Sequence, residues 1–561
     1  MIESRGTRAV LAACVGLALA DASVVTLALP QLLVQLGASV EGVAAVLGVY
    51  TLVVALALLP AERLRRKHGS ARVGAVGLGL FAAACAGAAA ADSLELLLGL
   101  RALQALGAAA ALVAAFDLLG AGAEGSEGRR MWTFAALIGF AAGPALGGVL
   151  TQLFDWRAIF IVQVPVVAAG AYVCARRAWG AGAAPPPAPG PRPERFNWRP
   201  VARPAIALGL VSAALTAVLF LLVLLLVAGW NVEPLAAAGA VSVLPIAALL
   251  ASRSGGDPLA RASTGCILIA GGTAALAFLP LPSPLWTLVP QALAGAGMGL
   301  ALPALAGELL PERNSLEAAR LLTARHAGIA LALIILAPVV SANLDSSTER
   351  ARERGVALVL DSPLSPSDKL ALAPSLLSGV QQERPRDGLA KAIDSARGDY
   401  GGAKRAEFDR LGKRADDTLV EAVGDAFRWA FIITAALALL AAVAVVPAPS
   451  RRTALARSAA LAAVLVAAYV GLHALLAPEP VKLADPCQPR RLPPSSGLSG
   501  IVQSGALVTL DQIACRFGSS REELVLALAN EEDAKRYQQR HGVNPGSVSN
   551  LIEGLINGAQ R

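Results

Sequence analysis

Histidine occurs only four times in 561 residues, and no His/Cys group has metal-ligand spacing, so nothing in the sequence points to a metal centre. No Gly-rich loop runs into Lys-Ser or Lys-Thr, which removes the phosphate cradle that an ATP-driven pump would need. No enzyme and no cofactor is implied. Aromatic residues make up 4% of the chain, too few to read a substrate from them. Lys and Arg are missing altogether from 30–41 and from 92–95. Of the six cysteines, Cys14, Cys85, Cys174 and Cys266 lie within apolar runs and read as small core residues, whereas Cys487 and Cys515 lie outside them.

What is abundant is apolar surface: 55% of residues are hydrophobic and mean hydropathy is +0.60, far beyond the usual share for a soluble domain. Thirteen windows approach the roughly 20 apolar residues of a spanning helix. They run near 9–29, 42–60, 73–91, 94–119, 131–153, 158–176, 204–229, 235–252, 263–281, 284–306, 320–342, 428–447 and 455–477. A net charge of +8 suggests no nucleic acid, because the excess is confined to alternate short loops. Arg63, Arg65, Arg66, Lys67 and Arg72 follow the second window, Arg129 and Arg130 the fourth, and Arg176, Arg177, Arg192, Arg195, Arg199 and Arg203 the sixth. The positive-inside rule then puts the N-terminus in the cytoplasm, with the chain in the cytoplasmic (inner) membrane. The acidic interruption Ala20-Asp21-Ala22 argues against a signal-peptide cleavage site and for an uncleaved first helix.

Six windows, 1–178, precede a stiff basic connector, 179–203, that carries Pro185, Pro186, Pro187, Pro189, Pro191 and Pro193. Six more follow in 204–447. Inside them 344–426 is a densely charged insert, expected outside the cell, where Leu377–Val380, Leu389–Ile393 and Leu419–Phe427 have helix-like apolar spacing. An extra span in 448–477 leaves 478–561 as a small extracytoplasmic helical domain. There Ser520-Arg521-Glu522-Glu523 is a capping box, and Thr509–Phe517 reads as a preceding short helix. The acids Glu531, Glu532 and Asp533 argue against a DNA-binding reading of that pair. Thr509–Ala514 with Phe517-Gly518 partly resembles the peptidoglycan-binding lysin motif, which would imply a cell-envelope partner. Cys487 and Cys515 either close a disulfide or stay free thiols.

Three constellations carry chemistry. Gly139, Gly143 and Gly147 recur every four residues with Pro144 and Gly148 among them, which permits close helix approach and a bend. Asp21 lies mid-span, where a carboxylate costs about 2.5–3.5 kcal/mol and can hold a proton or a cation. Arg101, with Gln104 one turn on, can bias neighbouring protonation, bind a carbonyl or snorkel to the outer interface.

The run Asp21 to Pro30, Arg101-Ala102-Leu103-Gln104-Ala105-Leu106-Gly107, residues 139–148, Asp155-Trp156-Arg157 and Gln291–Pro303 occur in the order found in a known family. They resemble the motifs of the drug/proton antiporter branch of the major facilitator superfamily, best known for multidrug exporters and drug resistance. The resemblance implies an all-α polytopic protein of two six-helix halves. It makes Asp21 the proton or cation site, Arg101 and Gln104 coupling residues, and the 139–148 glycines the antiporter-motif interface. The energy source would be the proton gradient, and the partners protons, a small amphipathic substrate and the bilayer. One loop departs: Glu62 stands at the family's glycine and Arg66 at its aspartate, with only Gly69 kept. Asp117 then either rebuilds a cytoplasmic gate with Arg63 or Arg66 or stays a solvated surface charge. Glu308, Arg325 and His326 also read as inner-gate residues. A proton-coupled exporter is expected. The alternatives are an envelope lipid or precursor transporter, and a transport-inactive scaffold or sensor.

Overall fold

The computed structural model describes residues 5–122, 127–180, 199–309, 314–365, 367–369, 372, 385–446, 452–478, 481–490 and 497–545. Among them there is no strand. Most of the connector, Leu377–Val380 and the Pro-rich stretch at 491–494 lie outside the described residues.

The long helices are α1 (Arg5–Thr26), α2 (Val40–His68), α3 (Ser70–Ala89), α4 (Leu94–Leu119), α5 (Glu127–Leu153) and α6 (Arg157–Trp179). There follow α7 (Arg199–Val223, prolonged by a π turn, Leu224–Gly229), α8 (Pro234–Val241 then Val243–Ala251), α9 (Pro258–Leu276) and α10 (Pro284–Pro303, prolonged by a π turn, Ala304–Glu308). The series ends with α11 (Ser315–Leu360), α12 (Ala403–Ala444) and α13 (Arg452–Leu476). Among the described residues twelve helices are long and apolar enough to cross a membrane. The fifth expected span falls on α5, 27 residues long. The helices α11 and α12 overrun their apolar windows, at 46 and 42 residues. A helix needs only one buried stripe to continue, not continuous hydrophobicity. Gly69, at φ 85°, turns α2 directly into α3, a conformation that an L side chain resists.

Two compact units emerge. The first comprises Met1–Ala228, Val232–Ala342 and Phe427–Ala477. Its helices meet at glycine seams, and the seams repeat six helices apart. A Cβ on Gly139 of α5 would strike the Gly16 backbone of α1, and one on Gly328 of α11 would strike Gly209 of α7. Likewise Gly107 of α4 abuts Gly77 of α3, and Gly297 of α10 abuts Gly265 of α9. This is the contact pattern of two similar halves packed side by side. The extra helix α13 rides on α9, with Ala462 against Gly271. Tyr469 Oη donates to the Trp286 carbonyl of α10 at 2.7 Å, and His473 Nδ1 donates to the Leu279 carbonyl at 2.9 Å.

The second unit joins Gly229–Asn231, Asn343–Ala426 and Pro478–Arg561, so insert and tail fold together. Leu389–Ile393 lies within a helix Pro385–Ala396, and Leu419–Phe427 within α12. The tail adds α14 (Gly497–Phe517), α15 (Arg521–Ala529) and α16 (Glu531–His541). Leu358, Leu364, Leu389, Phe408 and Leu419 form one core, with Tyr400 stacked on Phe408 at 4.5 Å. Ala514, Leu524, Ala527 and Tyr537 form another. Arg352 grips Asp533 through two bonds of 3.1 and 2.6 Å, and Arg521 binds Asp361 at 2.8 Å. A disulfide joins Cys487 to Cys515.

Candidate functional site

The first-half charges form a closed network. Arg101 and Asp21 are fully buried, 0% and 1% exposed, which rules out snorkelling. Arg101 donates from Nη1 to Asp21 Oδ1 at 2.8 Å and from Nη2 to Oδ2 at 2.5 Å. It also donates to Gln104 Oε1 at 2.6 Å and to the Val46 carbonyl at 3.1 Å. Gln104 Nε2 donates in turn to Asp21 Oδ1 at 3.2 Å. The guanidinium lies 4.5 Å from the centre of the Tyr50 ring, whose hydroxyl donates to the Ala18 carbonyl. Aromatic contact and bidentate pairing together compensate the desolvation of both ions.

Separate from this network, a cavity of about 380 Å³ opens between the two halves. Leu19, Phe116 and Trp132 wall one side, and Leu215, Met298 and Ile329 the other. Its charged groups are Arg129, Glu308 and Arg325. Glu308 is engaged by Arg261 at 2.6 Å. Arg325 makes no hydrogen bond or ion pair among the described residues.

At the basic end of the bundle, Glu62 is 1% exposed and accepts from Arg65 at 2.7 and 2.9 Å and from Arg66 at 3.0 Å. Ser315, at the start of α11, donates to Glu62 at 2.8 Å and accepts from Arg65 at 2.9 Å, so the second half is bonded to the first. Asp117 accepts from Ser70 at 2.5 Å and lies 3.3 Å from Arg65. On α5, Gly143 packs on Ser23 and Gly147 on Val24, both of α1, while Gly148 packs on Ala238 of α8. Pro144 is buried between them.

The family model described as "Major Facilitator Superfamily" matches residues 11–341. The chain belongs to that superfamily. Its relatives include a cephamycin export protein of Amycolatopsis lactamdurans, 35% identical over 190 residues, which are 32% of this chain and 39% of that protein. The multidrug resistance protein Stp of Mycobacterium tuberculosis is 34% identical over 26% of this chain and 28% of its own length. A methylenomycin A resistance protein of Bacillus subtilis is 35% identical over 27% and 33%. The chain therefore spans well under half the length of these relatives. Two structures of a bacterial homologue of the human lysosomal transporter Spinster, both inward-facing, share the fold. The unoccupied form has a TM-score of 0.53 at 14% identity, covering 80% of this chain and 100% of that one. The occupied form has 0.55 at 16%, covering 79% and 97%.

In this superfamily member, two sequence expectations need correcting. Asp117 pairs with Arg65, not with Arg63 or Arg66; Arg63 is exposed, and Arg66 turns to Glu62. Both Arg65 and Arg66 share Glu62's helix face, but Arg65 is the one directed across to α3 and α4, where it also donates to Ser70 at 3.2 Å. Glu308 and Arg325 line the cavity rather than a gate. Asp21 joins Arg101 and Gln104 in one cluster among α1, α2 and α4, and none of the three lines the cavity. Ser315 and Tyr50 escaped the sequence reading: one serine beside Asn314 and one tyrosine in an apolar run carry no pattern.

Proposed function

We propose that the chain is a proton-coupled secondary exporter of amphipathic small molecules bearing an acidic or hydrogen-bond-accepting group. The observation that carries this reading is the apolar cavity between the halves, with the Arg325 guanidinium inside it and unpaired among the described residues. An Arg in a largely apolar wall favours a carboxylate or carbonyl over a second cation. Relatives named for antibiotic export and multidrug resistance support the substrate class. The protein's basic end, by the positive-inside rule, faces the cytoplasm, so the cavity loads there. The insert-and-tail unit then faces an oxidising exterior, where a disulfide persists.

Alternating access in this scheme is the making and breaking of the Ser315 bonds to Glu62 and Arg65, with the opposite end regulated at the Gly148–Ala238 approach. Asp21 is the proton site. Protonation leaves Arg101 facing a neutral acid, weakens the bidentate pair and lets α1 repack against α2 and α4.

Everted membrane vesicles energised acid inside test the reading, with a cephamycin carboxylate and a lipophilic cation added in turn. Wild type is expected to dissipate the pH gradient with the carboxylate. Arg325→Gln should lose that response, and Asp21→Asn should lose proton release with every substrate. An unchanged gradient with inserted wild type, across both probes and neutral drugs, would instead favour the scaffold or lipid-transport reading.

A further inference from the structure

The bonds of Ser315 to Glu62 and Arg65 close one end of a seam between α2 and α11, and the same two helices meet again at the other end. Glu41 lies in the first turn of α2, and the Ser341 hydroxyl of α11 donates a side-chain hydrogen bond to its carboxylate. At 1.5 Å per residue, Glu41 and Glu62 stand about 32 Å apart along α2, and Ser315 and Ser341 about 39 Å apart along α11. Both lengths are on the order of a bilayer's thickness, so each contact sits near one membrane face. Pro338 lies inside α11 one turn before Ser341, where its missing N–H gives the helix a point at which to bend.

The two contacts share a chemistry, a glutamate of α2 with a serine of α11, but not a strength. Glu62 is buried and accepts from Arg65, Arg66 and Ser315 together, while Ser315 also accepts from Arg65. Glu41 is only half-buried, so water competes for its carboxylate, and it makes no ion pair among the described residues. Rocking one half against the other parts one end of such a seam and keeps the opposite end closed. The Gly148–Ala238 approach belongs to a different seam, between α5 and α8.

We propose that Ser341 with Glu41 is an outer latch opposed to the inner latch of Ser315 with Glu62, and that their unequal strengths set which face opens at rest. The weaker outer latch yields first, so the molecule without substrate favours opening to the exterior. This inference rests on the alternating-access reading for its place in the cycle. The latches themselves concern only the populations of two shapes. Both serines act by positioning α11 against α2, and neither has to touch the exported molecule.

The test is pulsed electron paramagnetic resonance on the full chain in lipid nanodiscs without substrate. One pair of spin labels is placed on the outer ends of α2 and α11 and another on their inner ends; the four free cysteines are buried and stay unlabelled. Wild type should separate its outer pair more often than its inner pair. Ser341→Ala should raise the outer-separated population about tenfold, and Ser315→Ala should instead separate the inner pair. Ser341→Thr and Ser315→Thr keep a hydroxyl and should restore the wild-type distances, a rescue that a general loss of packing would not show. Unchanged outer distances in Ser341→Ala, or opening of the same end by both alanine variants, would overturn the latch assignment. A wild type that separates its inner pair more often would overturn the ranking of the two. Opposite shifts in these variants beside a vesicle assay with no response to any substrate would sink the transport reading and leave the latches standing.

Discussion

Asp21 and Arg101 are each unfavourable in hydrocarbon and acceptable only as a pair, which sets the consequence of removing one. Asp21→Asn leaves a buried guanidinium without its counter-ion and should destabilise the first half by about 3–5 kcal/mol. Asp21→Asn combined with Arg101→Met should recover much of that, because a well-packed apolar replacement of a buried pair is near neutral. Thermal unfolding of the purified variants checks both, and equal melting of single and double variants would refute the pairing argument. The two ions were legible in the sequence as charges inside apolar runs. Their mutual grip was not, because 80 residues separate them and periodicity on α1 and α4 separately says nothing about which faces meet. Arg65 shows the same limit: five Lys and Arg residues lie between positions 63 and 72, and only the fold selects the one that reaches both Glu62 and Asp117.

For the helices as elements, close approach decides more than hydrophobicity does. A Cβ on Gly107 would stand 2.6 Å from the Gly77 carbonyl oxygen and 2.6 Å from the Phe81 nitrogen, both backbone atoms that cannot rotate away. Gly107→Ala should therefore separate α3 from α4 and sharply lower the yield of folded protein. Gly79→Ala, at a glycine with nothing within 4 Å, should be neutral in the same fluorescence-detected size-exclusion assay. The spans themselves were readable from hydropathy, and so was the 139–148 glycine face. The lengths of α11 and α12 were not, since beyond residue 342 and before residue 427 these helices bury only a stripe, with Leu358 and Phe408 in it.

On the scale of the whole molecule, the insert and the tail could be read only as two separate charged stretches. Their union depends on pairs such as Arg352 with Asp533, 181 residues apart, which no local pattern signals. The union also creates a titratable centre outside the membrane spans. Burial, with Glu523 and Glu349 nearby, lifts the Glu353 carboxyl from its ordinary 4.5 to about 7, against a partial opposing pull from Arg540. A raised folded-state pKa means the folded form holds the proton longer than the unfolded chain. Stability of this unit should accordingly fall as pH rises from about 4.5 to about 7 and then level off. Glu353→Gln should flatten that dependence, as followed by hydrogen exchange of α15 and α16. Reducing the Cys487–Cys515 bond, which closes a separation of 28 residues, should cost about 3–4 kcal/mol on the chain-entropy estimate and accelerate exchange in α14.

The three-segment make-up of that unit also fixes an order of synthesis. Asn343–Ala426, which ends inside α12, leaves the ribosome before α13, and Pro478–Arg561 only after it. Until the tail arrives, Arg352 lacks Asp533 and Asp361 lacks Arg521. A nascent chain whose last two helices have failed to insert would thus keep its insert unfinished, with apolar residues open to proteases and chaperones. Completion of this unit therefore waits on the synthesis of its last segment, and a chain lacking that segment lacks both pairs.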